Sequence, residues 1–275
     1  MCLIIIAFRS SPRLPLVVAA NRDEVHSRPT RPARFWASEP PRPGLLAGQD
    51  LTQGGTWLGI TRTGRFAAVT NFRSPGAGSG VRSRGFLIRD FLLGEVPASD
   101  YLNSVRENLD EYGGFNLLVG DTRELLYLNG VDAEIQVLQP GFYGLSNAAL
   151  DSDWPKVQRG RQALQELLAG TTKTDQGHAG AGLTTDALTR LMLNRNPAPD
   201  HLLPQTGIPL TLERSLSSSF IVNPQRDYGT RCTTALIIDN SGSVRFSEQS
   251  YGADAEITTR RYFHFPLLRE HNEAA

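Results

Sequence analysis

The sequence predicts an α+β fold in which antiparallel sheets are covered by helices. Apolar segments joined by short, turn-rich connectors indicate β-hairpins, and strands and helices follow one another in blocks. A doubly wound parallel sheet would instead alternate strand and helix, and the sequence shows no such alternation. Because there is neither an internal repeat nor a shift in composition, we predict one domain over residues 1–275, with a polar tail from about residue 269.

The first hairpin is predicted from two apolar runs. Leu3–Phe8 and Leu16–Ala20 lie on either side of the turn-rich segment Arg9–Arg13. Both runs are apolar throughout and do not alternate with polar residues, which indicates strands covered on both faces. We therefore expect other parts of the chain to cover this hairpin from both sides.

The strands that follow are predicted from turns and apolar runs. Arg28–Pro43 is rich in proline, and we predict an irregular surface loop there. Thr56–Thr61 and Arg65–Thr70 are predicted to form a second hairpin, which the chain enters through Gly54 and Gly55. Further strands are predicted at Phe115–Val119, Glu124–Leu128, Phe142–Leu145, Ser219–Val222, Thr234–Asp239 and Val244–Gln249.

Apolar residues three and four positions apart predict the helices. These helices cover Arg84–Leu93, Tyr101–Leu109, residues 154–168 and Thr185–Leu193. Ser99 is a candidate N-cap for the second helix, and Asp153 and Pro155 are start signals for the third. Gly170–Leu183 is rich in glycine, threonine and alanine, and we predict a mobile loop there.

Composition limits the classes of function. The formal net charge is zero, so we expect no bulk attraction to nucleic acid or to an anionic membrane. The two cysteines, Cys2 and Cys232, exclude a disulfide scaffold, and the five histidines lack metal-ligand spacing. We expect no signal peptide and no transmembrane segment, because the apolar start lacks a basic flank and no run approaches ~20 apolar residues. A cytoplasmic location follows as the expectation.

Cys2 directly follows the initiator methionine, and its small side chain permits removal of Met1. Removal would give one residue both a thiol and a free α-amine, whose pKa of about 8 is far below that of a lysine. Such an amine can take the proton of the thiol and activate it as a nucleophile. A cysteine also reaches this position by chance, so the position alone does not decide.

Polar residues end the second predicted strand, in the order Asn21, Arg22, Asp23 and Glu24. Because strand side chains alternate, Asn21 and Asp23 share one face, and Arg22 and Glu24 share the other. If the hairpin brings this end beside Cys2, Asp23 would orient the amine and the thiol as the third member of a triad orients its base. The alternative is that these residues only end a strand and cap a turn.

Two further strand ends carry an asparagine, Asn71 and Asn147. A side-chain amide can donate to the oxyanion that develops during acyl transfer, and one such donor is worth roughly 3 kcal/mol. Turn formation is the alternative role for each asparagine. Arg231 leads into an apolar strand and is a candidate for the same site.

Arginine supplies nearly all the basic residues of the chain. Its planar guanidinium suits bidentate contacts with anions, although genome composition explains the bias equally well. Arg73, Arg82 and Arg84 flank a glycine-rich segment. Two interpretations stay open for them: a clamp for an anionic headgroup or phosphate, and a solvated loop.

Seven motifs occur together and in order along the chain. They are Met1–Ile5, Ala20–Glu24, Gly54–Gly59, Thr70–Arg73, Phe115–Leu118, Tyr143–Asn147 and Tyr228–Arg231. In this order they resemble the NRDE family, also called the transport and Golgi organization protein 2 family, over roughly residues 1–251. The resemblance implies an N-terminal-nucleophile hydrolase-like fold, a four-layer αββα sandwich with two antiparallel sheets between helical layers.

The family is also distantly similar to the choloylglycine and penicillin V acylases, in which a cysteine at position two attacks an amide. This similarity implies a catalytic set of Cys2 as nucleophile, Asp23 as orienting acid, Asn147 as oxyanion amide, and Asn71 and Arg231 as supporting groups. The expected binding residues around them are Asn21, Arg22, Glu24, Trp57 and Arg73.

The resemblance leaves two functions open. The family is implicated in haem trafficking and in lipid or acyl-coenzyme A homeostasis, and its animal members affect secretion and Golgi organisation. We therefore expect a carrier for a small-molecule or lipid-like ligand, with no required cofactor and with haem as a candidate ligand. His26 is an isolated candidate haem ligand, although an exposed loop histidine is the simpler interpretation. No nucleic-acid partner and no metal site are expected, and the oligomeric state is left open.

The alternative is a cysteine amidohydrolase that cleaves a small linear amide. One difference counts against acylase activity, though not against the fold. Ala20 stands where the acylases carry an arginine, and Arg22 would supply that charge only from the opposite face of the strand.

Overall fold

The structure, a computed structural model, describes residues 2–37, 44–73, 80–174 and 182–268. Its strands are β1 (Cys2–Ser11), β2 (Leu14–Val25), β3 (Thr30–Phe35), β4 (Leu45–Asp50), β5 (Leu58–Thr61), β6 (Phe66–Asn71), β7 (Phe115–Gly120), β8 (Leu125–Asn129), β9 (Glu134–Val137), β10 (Gly141–Leu145), β11 (Val222–Asn223), β12 (Tyr228–Ile238), β13 (Ser243–Tyr251) and β14 (Ile257–Pro266). Its α-helices are α1 (Arg84–Leu93), α2 (Ala98–Arg106), α3 (Pro155–Thr174), α4 (Thr185–Leu191) and α5 (Leu210–Ser215). Short 3₁₀ helices lie at Leu109–Glu111, Asp200–Leu202 and Pro224–Arg226.

The strands form two antiparallel sheets. The first sheet has the order β10-β1-β2-β12-β13-β14, with β11 paired to β12, and the second runs from β3 to β9 in sequence order. The first sheet therefore joins the first two strands to strands from the last third of the chain. The second sheet is built from one continuous stretch of sequence.

Three hydrophobic cores define the layers. The largest core lies between the two sheets and contains Ile4 of β1 and Phe66 of β6. A second core packs α1 and α2 onto the second sheet, and a third packs α3 and α4 onto the first sheet. The layers therefore follow the order helices, sheet, sheet, helices, which confirms the predicted αββα sandwich. No helix in the described ranges is both long and apolar enough to cross a bilayer.

The first hairpin forms as its sequence predicts. β1 and β2 pair in antiparallel register, with Cys2 opposite Arg22. Leu3 and Ile5 point to the helical layer, whereas Ile4 points to the core between the sheets. Both faces are thus covered, which explains why neither strand alternates with polar residues.

The prediction of an irregular loop over Arg28–Pro43 is wrong for its central part. Thr30–Phe35 forms β3, an edge strand of the second sheet that pairs with β4. The register shifts between Arg31 and Arg34, and a proline is tolerated at such an irregularity on an edge strand. Residues 38–43 lie outside the described part of the chain. The strands β4, β9 and β14 are further elements that the apolar pattern did not predict.

The helices agree with the periodicity at α1 and at α4, which Thr184 caps through its side chain. α2 begins and ends earlier than the predicted Tyr101–Leu109, so Ser99 lies inside the helix and does not cap it. Pro97 holds the capping position, with its ring fixing φ at −53°. α3 continues to Thr174, and the first part of the predicted loop is therefore helical.

Three predicted segments fall wholly or partly outside the described residues. These are the rest of the loop at residues 175–181, most of the glycine-rich segment at residues 74–79, and the tail from residue 269. α5 is an additional helix that the periodicity did not predict.

Candidate active site

Cys2 begins β1, a strand with a hydrogen-bonded neighbour on each side. Its carbonyl oxygen accepts a hydrogen bond from Ser146 Oγ at 2.9 Å, just after β10. Cys2 is partly exposed and lines a cleft of about 320 Å³, which we call the Cys2 cleft. The start of the strand is therefore held in a fixed place with its side chain at an open cavity.

The polar end of β2 divides between the two faces of the sheet, as the strand period predicts. Asn21 faces the helical layer and donates from Nδ2 to the carbonyl oxygens of Met192 and Ser219, at 2.9 and 2.7 Å. Arg22 faces the other sheet, where its guanidinium carbon lies 4.4 Å from the ring centre of Trp57. Arg22 and Trp57 line the Cys2 cleft, whereas Asn21 is not among the residues that line it.

Asp23 is 2% exposed and is anchored to β12. Its Oδ1 accepts a hydrogen bond from the Thr230 hydroxyl at 2.7 Å, and its carbonyl oxygen accepts one from the Tyr228 hydroxyl at 3.1 Å. Burial raises the pKa of the Asp23 carboxyl, while the charge of Lys156 and the Thr230 hydrogen bond lower it. The carboxyl group is thus buried, and the effect of burial outweighs that of the charged and hydrogen-bonding groups that favour its ionised form.

The Cys2 thiol is not activated by its surroundings alone. Burial raises the pKa of this thiol, and the charge of Asp23 raises it further. Arg22 and a hydrogen bond from the Asp23 backbone N–H lower the pKa. Because a thiol reacts as the thiolate, chemistry at neutral pH requires a base beside Cys2.

Lys156 is a site residue that the sequence analysis missed. It lies in the first turn of α3, is 1% exposed, and its Nζ has no hydrogen-bond partner in the described ranges. Burial lowers its pKa to about 8, while the charges of Asp23, Cys2 and Glu213 raise it and that of Arg73 lowers it. A buried lysine is rare, and the chain has only two lysines; that scarcity was the one available sequence signal.

The two candidate oxyanion amides differ in position. Asn71 lies at the end of β6, lines the Cys2 cleft, and makes no side-chain hydrogen bond within the described residues. Asn147 is fully buried, and its Nδ2 donates to the carbonyl oxygen of Asn71 at 2.7 Å. Asn71 is therefore the amide open to a bound molecule, and Asn147 supports the backbone that carries it.

The structure places the two predicted arginines Arg73 and Arg231 away from the Cys2 cleft. Arg73 Nη1 lies 2.6 Å from a carboxylate oxygen of Glu213 and stacks on Trp154. Arg231 Nη1 donates to the carbonyl oxygens of Val25 and Arg28, at 2.8 and 3.1 Å. Neither arginine is among the residues that line the cleft.

A second and larger cavity adjoins the Cys2 cleft. This leucine cavity, of about 590 Å³, is lined by Leu212, Leu216, Asn223, Arg226 and Tyr228. It shares Glu24 and Asn71 with the Cys2 cleft. Because they share these residues, the two cavities are adjacent. The Cys2 cleft is rich in arginine, and the leucine cavity is partly apolar.

The described residues contain no group of three or more histidine, cysteine, aspartate or glutamate side chains that could hold a metal ion. His26 lies in the turn after β2, with its backbone N–H bonded to the carbonyl oxygen of Asp227 at 2.7 Å. It is not among the residues that line either cavity.

The chain matches the family described as Transport and Golgi organisation 2 over residues 1–253. It is 34% identical to the Transport and Golgi organization protein 2 homolog of Bos taurus, covering 95% of this chain and 99% of that one. Identity to the Homo sapiens homolog is 33%, over 91% of this chain and 93% of that one. The Drosophila melanogaster protein of the same name is 25% identical, over 91% and 92%.

Solved structures with a similar course of the chain have low identity to it. A Caenorhabditis elegans N-acylethanolamine-hydrolyzing acid amidase ortholog is 11% identical, covers 86% of this chain and 92% of its own, and gives a TM-score of 0.49. A conjugated bile acid hydrolase from Clostridium perfringens is 9% identical, with both chains fully covered and a TM-score of 0.45. At these values the likeness bears on no individual residue.

Proposed function

The chain belongs to the Transport and Golgi organisation 2 family, and from that premise we propose that it is an amide hydrolase whose nucleophile is Cys2. The observation that carries this proposal is the pairing of Cys2 with the end of β2, where the buried Asp23 is held by Thr230 and Tyr228. A buried carboxylate is costly, and it is expected where a neighbouring amine needs orientation.

The first step requires removal of Met1, which turns the backbone nitrogen of Cys2 into an α-amine. With an ordinary pKa of about 8, this amine is partly unprotonated at neutral pH and takes the proton of the thiol. Asp23 orients the resulting ammonium. The thiolate then attacks the carbonyl carbon of an amide, and the carbonyl oxygen becomes an oxyanion.

The side-chain amide of Asn71 is the donor for that oxyanion, because it lines the cleft and has no partner among the described residues. The ammonium of Cys2 then gives its proton to the leaving nitrogen, the carbon–nitrogen bond breaks, and a thioester remains. Water, deprotonated by the same α-amine, attacks the thioester and releases a carboxylic acid. The net reaction consumes one amide and one water and gives one acid and one amine.

The experiment is acylation of the processed protein, followed by intact mass. Preparations shown by mass to begin at Cys2 are incubated with a panel of small amides and acyl anilides. We expect an acyl adduct that hydroxylamine removes, and its loss in Cys2→Ala. Cys232→Ala is the matched control, because Cys232 is buried and should not matter. A folded, processed protein that forms no adduct and releases no acid with any panel member would exclude the hydrolase.

A second candidate function is a carrier that uses the same cavities without chemistry. The leucine cavity favours it, since a volume of about 590 Å³ with Leu212 and Leu216 in its wall suits an acyl chain. Neither cavity is lined by a histidine or methionine, so a protein ligand to haem iron there would be Cys2 or Tyr228.

The carrier predicts binding of haemin or acyl-coenzyme A that survives Cys2→Ala. Titration by fluorescence quenching, with an unrelated globular protein of similar size as the control, measures it. Binding no tighter than to the control protein would exclude the carrier. Binding that disappears in Cys2→Ala would instead assign the ligand to the hydrolytic site.

A further inference from the structure

Arg84 is placed at the Cys2 cleft by close packing of the start of α1. Ser83 caps this helix through its side chain, which accepts from the backbone N–H of Gly85 at 3.3 Å. Gly55 lies so close that a Cβ there would sit 2.5 Å from the carbonyl carbon of Gly85. The glycine pair therefore brings α1 against the chain before β5, with Arg84 at the wall of the cleft.

The guanidinium of Arg84 is half-buried and lacks an anionic partner. Its Nη1 donates to the carbonyl oxygen of Gly114 at 3.2 Å, and no carboxylate lies within 4 Å of it among the described residues. A guanidinium carries five N–H donors, so most of those on Arg84 have no acceptor in the described protein. Burial lowers the pKa of Arg84, whereas the charges of Cys2 and Glu24 raise it.

The other arginines of the cleft are already engaged. Arg28 pairs with Asp50 at 2.6 Å, and Arg82 pairs with Glu111 at 2.7 Å. Arg22 stacks on Trp57 and donates to the Thr30 hydroxyl at 3.2 Å. The cleft thus holds one guanidinium that is both desolvated and unpaired within the described residues, and it faces the same space as the thiol.

We propose that Arg84 is an anion subsite, and that the molecule on which Cys2 acts carries a carboxylate or another oxyacid group beside the carbon that is attacked. The guanidinium fork matches the two oxygens of such a group, and partial burial strengthens the pairing. This inference rests on the proposed function only in taking Cys2 as the reacting group.

The test compares two alkylating agents that differ only in charge near the reacting carbon, iodoacetate and iodoacetamide. Peptide mass mapping of the native protein gives the alkylation rate of Cys2 separately from that of Cys232. For Cys2, the ratio of the iodoacetate rate to the iodoacetamide rate cancels any change in the thiol pKa, because both reagents react with the same thiolate. In Arg84→Gln we expect the iodoacetate-to-iodoacetamide ratio to fall about tenfold relative to the wild type.

Arg89→Gln is the matched control on the same helix. Arg89 pairs with Asp90 at 2.8 Å and does not line the cleft, so this change should leave the ratio as it is in the wild type. Acetate and inorganic phosphate are added as competitors, and each should slow the reaction of iodoacetate in the wild type but not in Arg84→Gln. Stronger protection by one of them identifies the carboxylate or the phosphate as the preferred group.

Three outcomes would overturn the inference. One is a folded Arg84→Gln whose ratio equals that of the wild type, and the second is an equal fall in Arg89→Gln. The third is a wild type in which neither acetate nor inorganic phosphate slows the reaction of iodoacetate with Cys2, because the cleft would then hold no anion. If Arg84→Gln fails to fold, Arg84→Lys keeps the charge but loses the fork, and its ratio should lie between those of the wild type and an unfolded control. None of these outcomes depends on acyl adducts, by which the hydrolase itself is judged.

Discussion

Thr230 donates its hydroxyl proton to the carboxylate of Asp23 at 2.7 Å, joining β12 to β2. The same hydroxyl oxygen accepts the backbone N–H of Ile221 at 2.8 Å. Because a threonine has one hydroxyl proton, this pair of bonds fixes its direction and leaves Asp23 as the acceptor. The Asp23 carboxylate is therefore held as a hydrogen-bond acceptor at the end of β2, next to the strand that begins with Cys2.

Asp23→Asn should distinguish the role of the Asp23 charge in orienting the α-amine from the role of the side chain in holding the fold. The amide oxygen can still accept from Thr230, so the variant should fold, but the negative charge that orients the α-amine is lost. We expect acylation of Cys2 to slow by about 10²-fold or more. Stopped acylation reactions analysed by intact mass measure this rate, and circular dichroism confirms the fold. An acylation rate equal to that of the wild type would remove Asp23 from the mechanism.

Lys156→Met should stabilise the protein more at neutral pH than at high pH. The folded-state pKa of about 8 lies below the ordinary 10.5, so the unfolded chain binds the proton more strongly. The cost of burying the charge is therefore fully present below pH 8 and disappears as the pH rises to 10.5. This difference corresponds to roughly 3 kcal/mol.

Urea unfolding of the wild type and Lys156→Met at pH 7 and pH 10 measures this effect. The gain from the substitution should shrink between the two pH values. Gln162→Met, on the exposed side of the same helix, is the control and should give a difference that is independent of pH. A difference that stays constant for Lys156→Met would instead show that the pKa of the buried amine is not lowered from its ordinary value.

Glu248→Gln should show the opposite dependence on pH. Burial raises the pKa of Glu248 to about 7, from an ordinary 4.5, so the folded chain binds the proton more strongly. The stability that this group contributes is present below pH 4.5 and is lost as the pH rises through 7, by roughly 3 kcal/mol. The glutamine keeps the acceptor that Ala33 N–H uses at 2.6 Å, and its stability should not change in that way.

Unfolding free energies of the wild type and Glu248→Gln at pH 5 and pH 8 give the comparison. The wild type should lose stability relative to the variant on going to pH 8. Glu107→Gln, at an exposed position after α2, should show no such change. Parallel curves for the wild type and Glu248→Gln would contradict the shift.

Asn71→Ala and Asn147→Ala should differ in what they impair. Asn71 lines the cleft, and loss of an oxyanion donor should slow acylation by about 10²- to 10³-fold with little effect on stability. Asn147 is buried and bonded to the backbone of Asn71, so its removal should cost about 1–3 kcal/mol of unfolding free energy. Each variant is the control for the other. If Asn147→Ala slowed acylation and Asn71→Ala lowered the unfolding free energy, Asn147 would be the oxyanion donor and Asn71 the structural residue.

Gly48→Ala should displace Trp57, a residue that lines the Cys2 cleft. A Cβ at Gly48 would overlap the ring of Trp57, on which Arg22 stacks at 4.4 Å. Displacement of the ring should cost about 1–3 kcal/mol, as overpacking generally does. Gly170→Ala is the control, because a Cβ in that helical position meets nothing within 4 Å and should add up to about 1 kcal/mol of stability. Urea unfolding of both variants should show a lower unfolding free energy for Gly48→Ala and a higher one for Gly170→Ala.

The sequence could predict the first hairpin because Leu3–Phe8 and Leu16–Ala20 are apolar on both faces, a pattern that few other structures produce. It could not predict β3 or β14, since these edge strands carry many polar residues and each contains a proline. Such strands form because a neighbour offers hydrogen bonds, and that neighbour is not visible in the local pattern.

The site shows the same limit. The motif at the start of β12 indicated Arg231, but Thr230 is the residue that reaches Asp23. The reason is an irregularity in register: Thr230 pairs with Asp23 and Cys232 pairs with Arg22, so Arg231 is an extra residue between them. Bulges of this kind redirect a side chain, and a regular period of two cannot anticipate them. Lys156 was missed because its neighbours come from distant strands.

The bond between Asp23 and Thr230 spans 207 positions of the chain, which has a consequence for how the protein is made. A ribosome adds about 5–20 residues per second, so roughly 10–40 s pass between the synthesis of the two residues. Throughout that interval β2 lacks its neighbour β12, so the sheet around the leading end of the nascent polypeptide stays incomplete. During this interval an aminopeptidase can remove Met1, before β12 completes the sheet beside the start of β1.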